Sequence, residues 1–192
     1  MRMILTGALV LCASLAAANG PGLYTLNQDA SRALRENPRA TSALIDRLPD
    51  EVTTVEVTGL SENGDWARIL HLEGNAWMPL EALTAMDATG GPFETPLFCA
   101  GTEPFWPLKT QGDTLILEEM GAPAETFSDL TTMTSANAPT HHVAQSEGLT
   151  VLLRGAECSD GMSDRTYGLA TDIILPRSDA GLLSGCCTLQ SP

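Results

Sequence analysis

Positive charge is scarce in this chain: ten Lys and Arg residues, with Lys109 the only lysine, stand against 24 Asp and Glu, a formal net charge of −14. Such a surface repels a phosphate backbone, which argues against nucleic acid as a partner and disfavours anionic lipid. Long apolar runs are missing too. The stretch from Ile4 to Leu15 falls short of the roughly 20 residues that a membrane-crossing helix needs, so no transmembrane segment is expected in the mature chain. No helical hydrophobic period persists; only Ser31 to Glu36 and Ala43 to Arg47 suit a turn or so of helix. No two cysteines have the two-residue spacing of a zinc ribbon or a thioredoxin-like centre, and neither metal nor cofactor is expected. A Gly-x-Ser-x-Gly elbow, a phosphate loop and a dinucleotide fingerprint are all absent. In so acidic a chain no Asp/Glu pair stands out as a catalytic dyad. His141 and His142 are expected as a solvated loop pair; on a strand they would point to opposite faces and could not easily share a metal.

What is present points to export. Arg2, the apolar stretch and Ala16-Ala17-Ala18 form the three parts of a secretory signal, so residues 1–18 are expected to be removed. Leu11, just before Cys12, argues against lipid attachment there. About 170 residues remain, room for one large or two small domains. Glycine and proline recur evenly, and the segments between them are short and rich in Val, Thr, Ile and Leu. Residues 55–57, 67–69, 114–117, 149–153 and 172–175 read as strands. The class predicted is all-β, with closed barrels favoured because small antiparallel sheets must hide their edges. Asp87 to Pro92 has nothing apolar to bury, which divides the chain into domains at 22–86 and 96–190 with a linker at 87–95. Residues 120–140 read as a hairpin excursion within the second.

Every cysteine of the mature chain, Cys99, Cys158, Cys186 and Cys187, follows the break. An even number in an exported chain predicts two structural disulfides. Bonding between the neighbours Cys186 and Cys187 is disfavoured by strain, which leaves two connectivities open.

In the first domain, Ala33-Leu34-Arg35-Glu36-Asn37-Pro38, Leu48-Pro49, Gly64-Asp65-Trp66-Ala67-Arg68-Ile69 and Trp77-Met78-Pro79-Leu80-Glu81-Ala82-Leu83 occur in an order that resembles the bacterial SH3-like family of secreted and periplasmic proteins. Alternation along 66–70 turns Ala67 and Ile69 inward and Trp66, Arg68 and Leu70 outward. A large aromatic beside an arginine suits a groove for peptide or glycan, set against the alternative that Trp66 only covers the barrel rim. Trp77 is expected in the core.

In the second domain, Phe98-Cys99-Ala100-Gly101-Thr102-Glu103-Pro104-Phe105-Trp106, Cys158-Ser159-Asp160-Gly161-Met162-Ser163-Asp164-Arg165-Thr166-Tyr167 and Leu183-Ser184-Gly185-Cys186-Cys187 together resemble a family of uncharacterised bacterial envelope proteins and lipoproteins. Relatives with fewer cysteines keep counterparts of Cys158 and Cys186, so the resemblance implies Cys158–Cys186 and Cys99–Cys187. Asp160 and Asp164 read first as loop carboxylates that accept backbone hydrogen bonds. Their rival role is a small polar site with Glu103 and Ser163 for a calcium ion or a ligand amine.

The function expected is that of a non-catalytic cell-envelope protein, periplasmic or secreted, binding a cell-wall glycan, a peptide or an envelope protein through its SH3-like module. Trp66, Arg68, Glu103, Asp160 and Asp164 are its candidate binding residues. The alternatives are an envelope hydrolase or its accessory subunit with carboxylates of the second domain as acid and base, or an inhibitor of an envelope enzyme.

Overall fold

The computed structural model describes residues 20–86, 91–177 and 181–189; the expected signal segment and residues 87–90 of the linker lie outside them. The chain is all-β, as the strand pattern predicts, and every strand pairing is antiparallel. Among the described residues no helix is long and apolar enough to cross a membrane.

The first eight strands are β1 (Gly22–Leu26), β2 (Ala33–Arg35), β3 (Leu44–Arg47), β4 (Thr54–Val57), β5 (Gly59–Leu60), β6 (Trp66–His71), β7 (Gly74–Pro79) and β8 (Leu83–Ala85). They form two small sheets, ordered β4-β1-β8 and β3-β2-β7-β6-β5. Thr58 alone separates β4 from β5, so the chain turns from one sheet into the other there. Between the sheets lie Tyr24, Leu34, Val55, Val57, Ala67, Ile69, Ala76 and Met78. Ala67 and Ile69 face this core while Trp66, Arg68 and Leu70 stand on the other side, as period-two alternation requires. The same alternation on β7 buries Ala76 and Met78 and leaves Trp77 half-buried on the outer face. That corrects the expectation of a core Trp77.

Both segments thought suited to helix are strands. Their Ala, Leu, Arg and Glu favour helix locally, but β2 pairs with β3 and with β7, and tertiary pairing overrides so weak a propensity.

The remaining strands are β9 (Phe98–Thr102), β10 (Phe105–Gln111), β11 (Thr114–Leu117), β12 (Glu125–Phe127), β13 (Thr131–Thr134), β14 (His141–Ser146), β15 (Leu149–Cys158), β16 (Tyr167–Ile174) and β17 (Leu182–Thr188). They make one sheet in the order β12-β11-β10-β9-β17-β16-β15-β14-β13. Two four-stranded meanders thus flank β17. Laid flat, nine strands would hold the outer two roughly 38 Å apart at about 4.8 Å per strand. Yet β12 and β13 are joined through residues 128–130 alone, a link that reaches at most about 14 Å. The sheet must therefore curl until its edges meet, and Ser146 Oγ donates to the carbonyl of Ser128 at 2.7 Å beside the seam. Residues 120–140 are not an excursion, since they supply both edge strands. His141 and His142 lie on β14 and are half-buried, not in a loop.

The interior of this curled sheet holds Trp106, Leu108, Leu115, Leu117, Val151, Leu153 and Ile173. Trp106 lies against two glycines. A Cβ on Gly101 would collide with its Nε1, and one on Gly185 would sit 2.8 Å from its Cζ2 and collide with the carbonyl oxygen of Ala100. Two of the phrases noted in the sequence therefore carry their glycines where the indole leaves no room.

Both disulfides form in the pairing that the resemblance implies. Cys99 and Cys187 face each other on β9 and β17, with Cα atoms 4.0 Å apart. Cys158, at the end of β15, bonds to Cys186 over a Cα distance of 5.6 Å. Being adjacent on a strand, Cys187 points into the core while Cys186 lines a cleft toward the first eight strands.

Candidate functional site: the cleft between the two cores

The two cores meet along a seam of directed contacts. Arg68 Nη2 donates to Glu157 Oε1 at 2.6 Å. The amide of Asn75 donates to the carbonyl of Asp164 (2.8 Å) and accepts from the N–H of Thr166 (3.0 Å). Arg165 Nε donates to the carbonyl of Leu72 at 2.7 Å. Gly168 is closed in by Pro21 and Thr58, either of which would lie 2.9 Å from an added Cβ.

Along this seam runs a cleft of about 380 Å³, walled on one side by Leu48, Val52, Ile69 and Leu70 and on the other by Phe98, Ala100, Phe105 and Tyr167. That volume is within the roughly 300–1,000 Å³ of small-ligand sites, which are mostly apolar with a few convergent polar groups. Leu72, Phe105 and Met162 also line it, and they are 76%, 46% and 74% exposed. Large apolar side chains exposed together on one cleft are a common feature of interaction surfaces.

The polar group that matters most in the cleft is Glu56, which sequence reasoning passed over. Val55 and Val57 point into the first core, so Glu56 must point the other way, and alternation alone would send it into water. Instead it meets β17 and the residue after it: the hydroxyl of Thr188 donates to Oε2 at 2.5 Å and the N–H of Leu189 to Oε1 at 3.0 Å. Only 8% of Glu56 is exposed. Burial pushes its carboxyl up from 4.5 to about 7, against the opposing pull of the bonds from Thr188 and Leu189. The partner strand lies more than 130 residues away in sequence, so no local pattern announces it.

A folded-state value above the unfolded one has a definite sign. Between pH 4.5 and 7 the unfolded chain releases this proton while the folded chain keeps it, so stability falls as pH rises through that window. The full difference is on the order of 3 kcal/mol. Glu56→Gln should flatten this slope, and urea unfolding of both proteins from pH 4.5 to 8 measures it. Parallel curves would show that Glu56 carries no such burden.

The residues expected to bind ligand are scattered by the fold. Trp66 is half-buried and lines a separate, open depression of about 610 Å³ with Arg35, Asp65, Leu80 and Glu81. Arg68 is not in that depression. Its guanidinium is held by Glu157 and by the hydroxyl and carbonyl of Thr58 (3.2 and 3.3 Å), 5.9 Å from the Trp77 ring centroid. Glu103 is exposed in the turn between β9 and β10, outside the cleft. Asp164 is exposed and joins the seam through its backbone.

Asp160 does line the cleft, but its carboxylate is already engaged. It accepts from the N–H groups of Met162 and Ser163 (both 2.9 Å), from the Ser163 hydroxyl and from the Tyr167 hydroxyl at 3.2 Å. Burial works to raise its carboxyl, yet these bonds together hold it below the usual range. The loop role is therefore what its geometry serves. Among the described residues, no three His, Cys, Asp or Glu side chains are grouped to hold a metal ion, so the calcium reading gains no support.

Comparisons of the chain with protein-family models, with curated proteins and with solved structures find no match.

Proposed function

We propose that this protein is an exported, non-catalytic binding protein of the bacterial cell envelope, with an SH3-like first module, and that its partner seats in the cleft between the two cores. The observation that carries the reading is the gathering of Leu72, Phe105 and Met162, all exposed, on one apolar cleft. Predominantly apolar walls suit a peptide or protein segment better than the hydroxyl-covered face of a glycan. The signal-like leader, the two disulfides and the acidic surface fit a periplasmic or secreted location.

A hydrolase in the same cleft would need a second carboxylate free to take a proton, within reach of the first. Asp160 is the other carboxylate there, and both its oxygens are occupied by donors from Met162, Ser163 and Tyr167. This favours binding over catalysis.

The test is retention of a partner from envelope extract on the immobilised mature protein. Replacing Phe105 and Met162 with serine should weaken retention about tenfold or more, because a few large apolar anchors that become buried carry most of such binding, with little loss of stability at exposed positions. Trp66→Ala should leave it unchanged. The reverse outcome would move the partner to the depression beside Trp66 and end the cleft reading.

A further inference from the structure

We propose that the cleft receives the side chain of a lysine carried by a partner peptide, the aliphatic stem lying on the apolar walls and the ammonium meeting Glu56. This rests on the reading of the cleft as the partner's seat, and deepens it by naming the chemistry recognised.

Ile69, Leu70 and Phe98 line the same cleft as one buried carboxylate, Glu56. A ligand that fills it without leaving Glu56 uncompensated must be apolar along its length and cationic at one point. Lysine has that form, four methylenes ending in a compact ammonium. The other charged groups there do not compete for it. Asp160 has the Arg165 guanidinium as its counter-charge beside its loop donors, and Arg165 is also directed to the carbonyl of Leu72, with Glu73 3.6 Å from its Nη2. Counting Asp160 and Arg165 as cancelling leaves the ionised Glu56 as the net charge of the cleft.

Arginine is a poorer fit. Its planar fork seeks both oxygens of a carboxylate in parallel, and here each oxygen already accepts a bond, one from Thr188 and one from Leu189. A single point charge asks for less. The chain does not supply the occupant itself, since its one lysine, Lys109, is paired with Glu118 at 3.0 Å. A surface of net charge −14 also draws a basic partner toward it at long range.

The ammonium binds the ionised form of Glu56, so affinity follows the fraction ionised. With a midpoint of about 7, that fraction rises about tenfold between pH 6 and pH 8, and the apparent Kd should fall by the same factor. The cleft's other ionisable groups are Asp160, Arg165 and Tyr167. Asp160 is held below its ordinary value and Arg165 above, so both keep their charge across this range, and the Tyr167 hydroxyl donates to Asp160.

The probes are five-residue peptides, blocked at both ends, with a central lysine, Nε-acetyl-lysine, norleucine or arginine. Binding is read from NMR shifts of Leu70, Phe105 and Met162 at pH 6 and pH 8. The lysine peptide should bind about tenfold tighter at pH 8 than at pH 6, the acetylated and norleucine peptides equally at both, and Glu56→Gln should abolish the lysine peptide's pH dependence. Lysine binding that ignores pH in the native protein, or a norleucine or arginine peptide that binds as tightly as lysine at pH 8, overturns the lysine assignment while the cleft reading stands. If no peptide moves those three resonances, both fall.

Discussion

Replacing Cys99 and Cys187 with serine should lower the stability of the nine-stranded sheet by about 4.6 kcal/mol, and replacing Cys158 and Cys186 by about 3.6 kcal/mol. The difference comes from loop length, since the bonds join residues separated by 88 and by 28 positions. Longer loops remove more freedom from the unfolded chain. The smaller loop is nested in the larger, so each bond closes a shorter effective loop while the other is intact, and removing both should cost slightly more than the two single losses together. Against the 5–15 kcal/mol or so typical of a whole domain, losing both leaves little margin. Urea unfolding followed by far-ultraviolet circular dichroism measures each variant, and equal midpoints for native protein and both variants would contradict the entropic account.

The second large effect is expected at Trp106, where substitution by alanine should cost about 3–5 kcal/mol, the range for emptying a buried aromatic site. The indole is 1% exposed and lies against Gly101 and Gly185. Neither glycine offers a side chain that could swing into the void, so the cavity would stay open. Trp77→Ala should cost much less, because that ring is half-buried on an outer face beside Arg68 and water can take its place. Thermal unfolding of the two variants side by side reads the contrast, and comparable losses would mean that Trp77 is as structural as Trp106.

These contrasts also mark where local pattern is sufficient and where it is not. Alternation at residues 55–57, 67–69 and 149–153 was legible because each of those strands has one face against a core and the side-chain period of a strand is two. The cysteines were legible because covalent chemistry narrows the choices to a few. At Ser31 to Glu36 and Ala43 to Arg47 the reading failed, since weak helix propensity yields to strands that wait elsewhere to be paired. Trp77 failed by one position of register, Met78 being the residue that faces inward. For the candidate site the loss was larger. Glu56 looks like the polar face of a strand until a second core is set against it, and Phe105 and Met162 come together with Leu72 only across the seam. Sites made between units are written in no single stretch of chain. Asp160 was recognisable as a loop carboxylate, because Asp-Gly followed by Ser places donors within three residues of it.

The position of β17 governs the order in which this chain can fold. As the polypeptide emerges, β9 to β12 and then β13 to β16 can each pair among themselves, but the edges of β9 and β16 stay bare until residues 182–188 arrive to fill the gap. At about 5–20 residues per second, the edge of β9 waits on the order of 5–20 s and that of β16 about 1–3 s. Bare strand edges recruit other chains, so this is when the protein is most open to aggregation. Both bonds to β17 involve Cys186 or Cys187, so oxidation fixes the strand whose late arrival had left the sheet in two pieces.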